Sequence, residues 1–272
     1  MEDTELLGTK IIELELKLIQ LFTGKEIPNI EKIKEEYNHI VDSVAEIIRN
    51  EGIKGEIAIV KRVHEILSNN LLFSVAPTNL IYEMVYGSTY DCDTFAILAS
   101  DVLRKLDISE KRIGFLVYSD HANIVVGEKY RVYYDIRDKS TGNATKAVGK
   151  KEAVYLPFDP ENIGIKSLVT FNVANYLLEM YKPYIRYQLQ IKEKGKLTDY
   201  IYNAIVAENW GDINKAYETI KDGLKNVGRD PILLLFAVRY ATRLGKNDEV
   251  LKYIKMFQEE YKKLQKYTLA RR

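Results

Sequence analysis

Cys92 is the single cysteine among 272 residues, and it lies in a segment whose pattern predicts the start of a helix. Small polar residues precede it. Apolar residues follow at the spacing of one helical face, at Phe95, Leu98, Val102 and Leu106. The unpaired N–H groups and the positive dipole end of a helix N-terminus favour a thiolate. The sequence therefore predicts a nucleophilic thiol, activated by the helix that follows it.

A histidine and a carboxylate follow the thiol in chain order. His121 begins a predicted strand, and Asp135 lies in the next predicted strand. If a three-residue turn follows Val126, His121 faces Asp135 across the ladder, with Cβ atoms about 4.5–5.5 Å apart. A one-residue change of register would put Ile136 opposite instead. An imidazole held by a carboxylate can take the proton of a thiol, so these two residues and Cys92 are the candidate catalytic triad.

Each of these residues also has an ordinary structural interpretation. A lone cysteine is usually a small buried hydrophobe. Asp91 and Asp93 flank the thiol, and their charges oppose a thiolate unless they point away or cap the helix. His121 could be a satisfied core or surface histidine, and Asp135 could simply end a strand. The order of the three residues and their placement on a helix and two strands favour the catalytic interpretation.

Helices and a few strands are predicted to position these residues. Apolar residues recur at helical spacing over the first 70 residues or so. Three strands are predicted over residues 112–118, 121–126 and 131–136, and the polar segment 137–164 reads as an exposed loop. A long helix is predicted over residues 170–193, with a candidate kink at Pro183.

The C-terminal part contains an internal repeat of 34 residues. Gly211-Asp-Ile-Asn-Lys-Ala216 corresponds to Gly245-Lys-Asn-Asp-Glu-Val250, and further equivalent pairs are Ala204 with Val238, Ala207 with Ala241, and Ile220 with Ile254. A helix–turn–helix of this period resembles tetratricopeptide repeats. Two repeats are fewer than an independent array needs, so we expect them to pack against another element, for which the preceding long helix is a candidate.

Composition limits the classes of function. The 40 Lys and Arg nearly cancel the 39 Asp and Glu, which argues against a nucleic-acid partner. One cysteine cannot form an intramolecular disulfide, and no segment approaches the ~18 apolar residues of a spanning helix. We therefore expect a cytoplasmic protein with no membrane contact.

No cofactor is expected from the sequence. With three scattered histidines and one cysteine, a structural zinc site lacks ligands. No glycine-rich phosphate loop and no EF-hand-type calcium loop occurs. The oligomeric state is left open.

The segment from about Val63 to Asp138 resembles the transglutaminase-like superfamily, a papain-like cysteine fold. Its signature is a Gly-Asp-Cys-type motif that opens a helix, then a His on one strand and an Asp on the next. The matching motifs are Tyr90-Asp91-Cys92-Asp93, Asp120-His121-Ala122 and Tyr134-Asp135. The chain departs from the pattern where Gly is displaced to Gly87, where Asn123 replaces a frequent Trp, and where Ile136-Arg137 replaces the usual Pro.

The resemblance implies an α+β fold: N-terminal helices, a papain-like core with a small antiparallel sheet, and a helical repeat region. The implied domains are residues 1–50, 51–168 and 169–272. It also implies amide hydrolysis or acyl transfer on a protein or peptide, recruited by the repeats, with Cys92, His121 and Asp135 as the triad. Tyr90 is the candidate oxyanion donor. The alternative is a catalytically silent scaffold of the same fold that binds protein partners through its repeats.

Overall fold

The computed structural model describes residues 5–24, 29–69, 73–76, 78, 80–118, 121–128, 131–150, 153–159, 163–180 and 196–269. Its helices are α1 Leu7–Thr23, α2 Ile30–Asn50, α3 Glu56–Asn69, α4 Ile81–Gly87, α5 Cys92–Lys105, α6 Ala144–Gly149, α7 Ile163–Met180, α8 Lys196–Asn209, α9 Ile213–Asn226, α10 Pro231–Arg243 and α11 Asn247–Leu269. Its strands are β1 Ser74–Val75, β2 Thr89–Tyr90, β3 Ile113–Val117, β4 Ala122–Val126, β5 Val132–Asp135, β6 Ser140–Asn143 and β7 Val154–Pro157. The predicted α+β class, with helices at both ends and a helical C-terminal region, is confirmed.

The chain divides into two compact units. The first comprises Met1–Leu14 and Pro28–Lys166, and the second comprises Glu15–Ile27 and Ser167–Arg272. The division after Lys166 lies close to the predicted boundary between residues 168 and 169. Residues of the predicted segment 1–50 occur in both units.

Helix α5 forms the centre of the first unit. Every residue from Thr94 to Leu103 is buried, and the helix packs against α2, α3, β3 and β4. A helix that is buried on all sides needs apolar residues around its whole circumference, and α5 has them except at Thr94, Ser100 and Asp101. The thiol therefore sits at the start of the most buried helix of this unit.

A five-stranded antiparallel sheet with the order β6-β5-β4-β3-β7 packs against α5. Its three central strands confirm the three predicted strands. The prediction of a loop over residues 137–164 is wrong, because β6, α6 and β7 lie within it. Strands β6 and β7 are the two edges of the sheet. Along β6 half-buried residues alternate with exposed ones, so its polar composition is that of an edge strand rather than of a loop.

The register between β4 and β5 differs from the predicted one by two residues. Val126 pairs with Val132 and Ile124 pairs with Tyr134, so the connection is longer than the predicted turn and His121 does not face Asp135 directly. Side chains alternate between the two faces of a strand with a period of two. A shift of two residues therefore leaves both side chains on one face, where they meet diagonally.

In the second unit, the same backbone hydrogen bond at the end of a helix recurs after 34 residues. The backbone N–H of Asp212 donates to the Ala207 carbonyl at 2.9 Å, and that of Lys246 donates to the Ala241 carbonyl at the same distance. Gly211 and Gly245 end the two turns with φ of 78° and 67°, a region that favours glycine. The three equivalent pairs outside these turns are buried: Ala204 and Val238, Ala207 and Ala241, and Ile220 and Ile254.

The predicted long helix begins earlier than expected, at Ile163, and α7 extends to Met180. Pro183 and the remainder of the prediction lie outside the described residues. Within the described part of the chain, no helix is long and apolar enough to cross a membrane.

Candidate active site

Cys92 is the first residue of α5, as predicted, and Asp91 caps the helix. The backbone N–H of Asp91 donates to the Thr94 hydroxyl at 2.9 Å, and that hydroxyl donates to the Asp91 carboxylate at 3.0 Å. The second carboxylate oxygen of Asp91 accepts the N–H of Thr78 at 3.1 Å. This reciprocal capping box fixes where the helix begins and so fixes the thiol at its N-terminus.

The thiol is nevertheless held in its protonated form. Burial is the largest cause, followed by the charge of Asp93 and, more weakly, that of Asp91, and together they raise the pKa of Cys92 to about 12. Hydrogen bonding from the backbone N–H groups of Ala122 and Asp93 lowers the pKa but does not compensate. Burial and the flanking carboxylates therefore oppose the thiolate that the helix N-terminus is expected to favour.

His121 and Asp135 are brought together despite the altered register. The Nε2 atom of His121 lies 3.0 Å from Oδ1 of Asp135, and the imidazole is almost fully buried. The approach is not aligned as a hydrogen bond, and Nε2 has no other partner among the described residues. The backbone of His121 is fixed by its carbonyl, which accepts the N–H of Tyr118 at 2.7 Å.

Arg137 shares the Asp135 carboxylate with His121. Its backbone N–H donates to Oδ1 at 2.9 Å and its Nη2 to Oδ2 at 3.2 Å. Burial alone would raise the pKa of Asp135, but these hydrogen bonds and the nearby His121 lower it below its usual value. Asp135 is thus a carboxylate at neutral pH.

A surface pocket of about 450 Å³ brings the thiol and the imidazole to one place. It is lined by His64, Ser68, Asp91, Cys92, His121, Ile136, Arg137 and Lys139. In the described part of the chain no hydrogen bond joins the Cys92 sulfur to the His121 ring. The site therefore presents a neutral thiol and an imidazole backed by a carboxylate on one pocket wall, without a formed thiolate–imidazolium pair.

Tyr90, the predicted oxyanion donor, is not among the residues that line the pocket. Its side chain is fully buried and its hydroxyl is 2.9 Å from Oγ of Ser68, which does line the pocket. Its ring packs against His64 and Phe95. The hydroxyl is committed to Ser68 in this arrangement, and a role for Tyr90 at the oxyanion stays a prediction.

His64 is the pocket residue that the sequence reasoning missed. It lies on α3 in the buried stripe formed with Val60, Val63 and Leu67, and it lines the pocket beside Cys92. Burial, and then the positive charge of Lys139, lower the pKa of His64. A histidine in an otherwise apolar helical stripe was the available signal.

The thiol sulfur and the two flanking carboxylates are three possible metal ligands. The ligand atoms of Asp91, Cys92 and Asp93 are all within 4.8 Å of one another. The Asp91 carboxylate is already engaged by Thr94 and Thr78. The group is therefore accounted for by the helix cap.

Comparison with known proteins yields little. No family model matches the chain, and no curated protein matches it. Among solved structures, a crystal structure of menin, described as revealing the binding site for the Mixed Lineage Leukemia protein, aligns with a TM-score of 0.43 and 12% identity. The alignment covers 92% of this chain but spans only 65% of the menin chain. A likeness of this size carries no argument about fold or function, which must rest on the site itself.

Proposed function

We propose that this chain is a cysteine-dependent hydrolase or acyltransferase that acts on amide bonds of a protein or peptide. Cys92 is the nucleophile, His121 the general base and Asp135 the residue that orients the imidazole. One observation carries the proposal: His121 shares a pocket with the thiol while its Nε2 lies 3.0 Å from Asp135. This is the relation of base and carboxylate that thiol and serine acyl transfer require.

The protonated thiol determines how the reaction must begin. Because Nε2 of His121 lies against the Asp135 carboxylate, Nδ1 is the ring nitrogen that is left to receive the thiol proton. The proton moves to Nδ1 as sulfur attacks the carbonyl carbon and the S–C bond forms. Collapse of the tetrahedral intermediate breaks the C–N bond, and His121 returns the proton to the leaving amine. Water then cleaves the thioester, or an amine takes the acyl group.

A protein or peptide substrate is favoured by the second unit. Trp210 and Tyr202 of the first repeat are 84% and 66% exposed, and aromatic side chains of this kind are typical anchors for a partner chain. The repeats would recruit the substrate, and the reaction needs no cofactor. A reducing, cytoplasmic setting would keep the single thiol free.

The proposal is tested by acylation with p-nitrophenyl acetate. The parent should release a burst of about one equivalent of nitrophenolate, with the acetyl group located on Cys92 by mass spectrometry. Cys92→Ala should abolish the burst, and His121→Ala should slow it by about 10²–10⁴-fold. His39→Ala removes a histidine outside the pocket and is the matched control. A burst that is indifferent to His121 would contradict the triad.

The catalytically silent scaffold is the second candidate, and two observations favour it. The thiol pKa is raised, and no hydrogen bond joins the sulfur to His121 among the described residues. In that case the parent would acylate no faster than a buried, unassisted thiol, and the function would lie in the exposed aromatics of the repeats. The same experiment therefore separates the two candidates.

A further inference from the structure

His64 is a second imidazole in the Cys92 pocket, and the reaction proposed above leaves it unused. Its side chain is only 4% exposed, yet it lines the pocket with Cys92 and His121. It belongs to α3, whereas Cys92 begins α5 and His121 precedes β4. Three separate elements therefore place a thiol and two imidazoles around one cavity.

The orientation of the His64 ring is fixed on several sides. Its Nδ1 is 2.8 Å from the hydroxyl oxygen of Tyr134, and the rings of Tyr90, Phe95 and Tyr134 meet it edge to face. With Nδ1 occupied by Tyr134, Nε2 is the polar ring atom that remains for a molecule in the pocket.

The partner of Nδ1 also determines which nitrogen carries the proton. In the described part of the chain, the Tyr134 hydroxyl has no acceptor other than Nδ1 of His64. Donation from Tyr134 satisfies both groups, whereas the opposite assignment leaves the hydroxyl proton without an acceptor. A neutral imidazole has one protonated nitrogen, so Nε2 then bears the N–H and is a hydrogen-bond donor to the pocket.

The charges around His64 favour this neutral form. Burial disfavours the imidazolium, and the ammonium group of Lys139 on the pocket wall acts in the same direction. Glu65, the next residue on α3, opposes them more weakly. A neutral imidazole can donate a hydrogen bond to a developing negative charge while keeping its proton.

We propose that His64 is a catalytic residue whose Nε2–H donates to the carbonyl oxygen of the scissile amide and to the oxyanion formed from it. The inference rests on the proposed function. As the Cys92 sulfur bonds to the carbonyl carbon, the C=O electron pair moves to oxygen. His121 takes the thiol proton, and His64 keeps its own. The substrate is therefore an amide or ester that binds with its carbonyl oxygen towards His64 on α3.

Two reactions of the same sulfur test this role. Acylation by p-nitrophenyl acetate passes through an oxyanion, whereas alkylation by iodoacetamide displaces iodide and forms none. His64→Leu should slow acylation by about 10²–10³-fold, the usual cost of one oxyanion donor, and should leave the alkylation rate within about twofold. His64→Gln, which retains an N–H donor, should recover part of the acylation rate.

Tyr134→Phe provides a second variant that keeps the imidazole in place. Without the hydroxyl, Nδ1–H and Nε2–H forms compete, and acylation should slow by about two- to threefold while alkylation is unchanged. The inference is overturned if His64→Leu acylates like the parent, or if acylation and alkylation fall in parallel, since that indicates a disturbed pocket. If the parent itself shows no burst above Cys92→Ala, the proposed function fails as well.

Discussion

The carboxylates beside Cys92 have two opposite effects on the ionisation of its thiol. The Asp91 carboxylate caps α5 and so creates the helix N-terminus that would favour a thiolate. Both carboxylates also add negative charge beside the sulfur, and with burial this outweighs the helix terminus. Asp91 supplies both the cap and part of the charge, so the position of the thiol is secured by a group that also opposes its ionisation.

Removing the charge of Asp93 should make the thiol more reactive. Below a pKa of about 12 the thiolate fraction of the parent rises tenfold with each pH unit, so its alkylation rate should climb steadily from pH 7 to pH 10. Asp93→Asn lowers the pKa of Cys92, and at pH 8 its rate with iodoacetamide should exceed that of the parent by about three- to tenfold.

The control for this prediction is Asp222→Asn, which removes an exposed carboxylate of the second unit and should not alter the rate. A parent profile that levels off near pH 8.5, the usual range for an exposed cysteine, would show that the sulfur is not held in the protonated form.

The sequence predicted the elements that carry Cys92, His121 and Asp135 better than the strand register between the last two. Cys92, His121 and Asp135 could be selected by type and order, and the start of α5 could be read from its cap. The length of the β4–β5 connection could not be read from its composition, so the register was displaced. The hydrogen bond between His64 and Tyr134 could not be predicted, because the two residues are 70 positions apart and no local pattern reveals such a contact.

At the scale of elements, the central strands of the sheet could be predicted from the sequence, whereas the edge strand β6 could not. The central strands have continuous apolar runs that mark them in the sequence, whereas β6 contains Ser140, Thr141, Gly142 and Asn143 and resembles a turn. Its strand conformation comes from pairing with β5, in which Gly142 accommodates the ring of Tyr133. Tertiary pairing, rather than intrinsic propensity, forms this edge.

The two repeats are joined by a partly buried acidic side chain on α8. Glu208 accepts hydrogen bonds from Arg239 and Arg243 at 2.6 Å and from the Tyr240 hydroxyl at 3.0 Å, all on α10. Two guanidinium groups and a phenol thus converge on one carboxylate at the equivalent helices of successive repeats. Their low exposure makes the loss of the carboxylate costly.

Glu208→Ala should lower the free energy of unfolding by about 2 kcal/mol, because it leaves two partly buried cations without their partner. Thermal unfolding followed by circular dichroism measures the effect. Glu259→Gln is the matched control: it breaks the exposed pair with Arg229, in which both side chains are more than half exposed, and should cost less than about 1 kcal/mol. Equal effects of the two variants would contradict the argument.

At the scale of the whole chain, Asp101 connects the centre of the first unit to residues that lie 94 and 93 positions earlier in the sequence. This fully buried residue of α5 accepts the N–H groups of Leu7 and Gly8 at 2.8 and 2.7 Å and the Tyr37 hydroxyl at 2.9 Å. The same carboxylate therefore caps α1 and ties α2 to the helix that carries the thiol. Gly8 is required there, because a Cβ atom would overlap the ring of Tyr37.

Asp101→Ala should destabilise the first unit by about 3 kcal/mol, since three buried donors lose their acceptor. Hydrogen exchange of the α5 amides measures this unit separately from the second. Asp42→Ala breaks a surface pair with Lys105 and should change the exchange by less than about 1 kcal/mol. Unchanged protection of α5 in Asp101→Ala would show that the three contacts contribute little.

The protonation of Cys92 has a consequence for the lifetime of the protein under oxidants. Peroxides attack thiolates, and the resulting sulfenic acid can be oxidised further to forms that are not reversed. A sulfur whose pKa is about 12 offers almost no thiolate at neutral pH. The only cysteine of the chain should therefore survive peroxide exposure that inactivates enzymes whose cysteine is a thiolate at rest, and would become a strong nucleophile as His121 takes its proton.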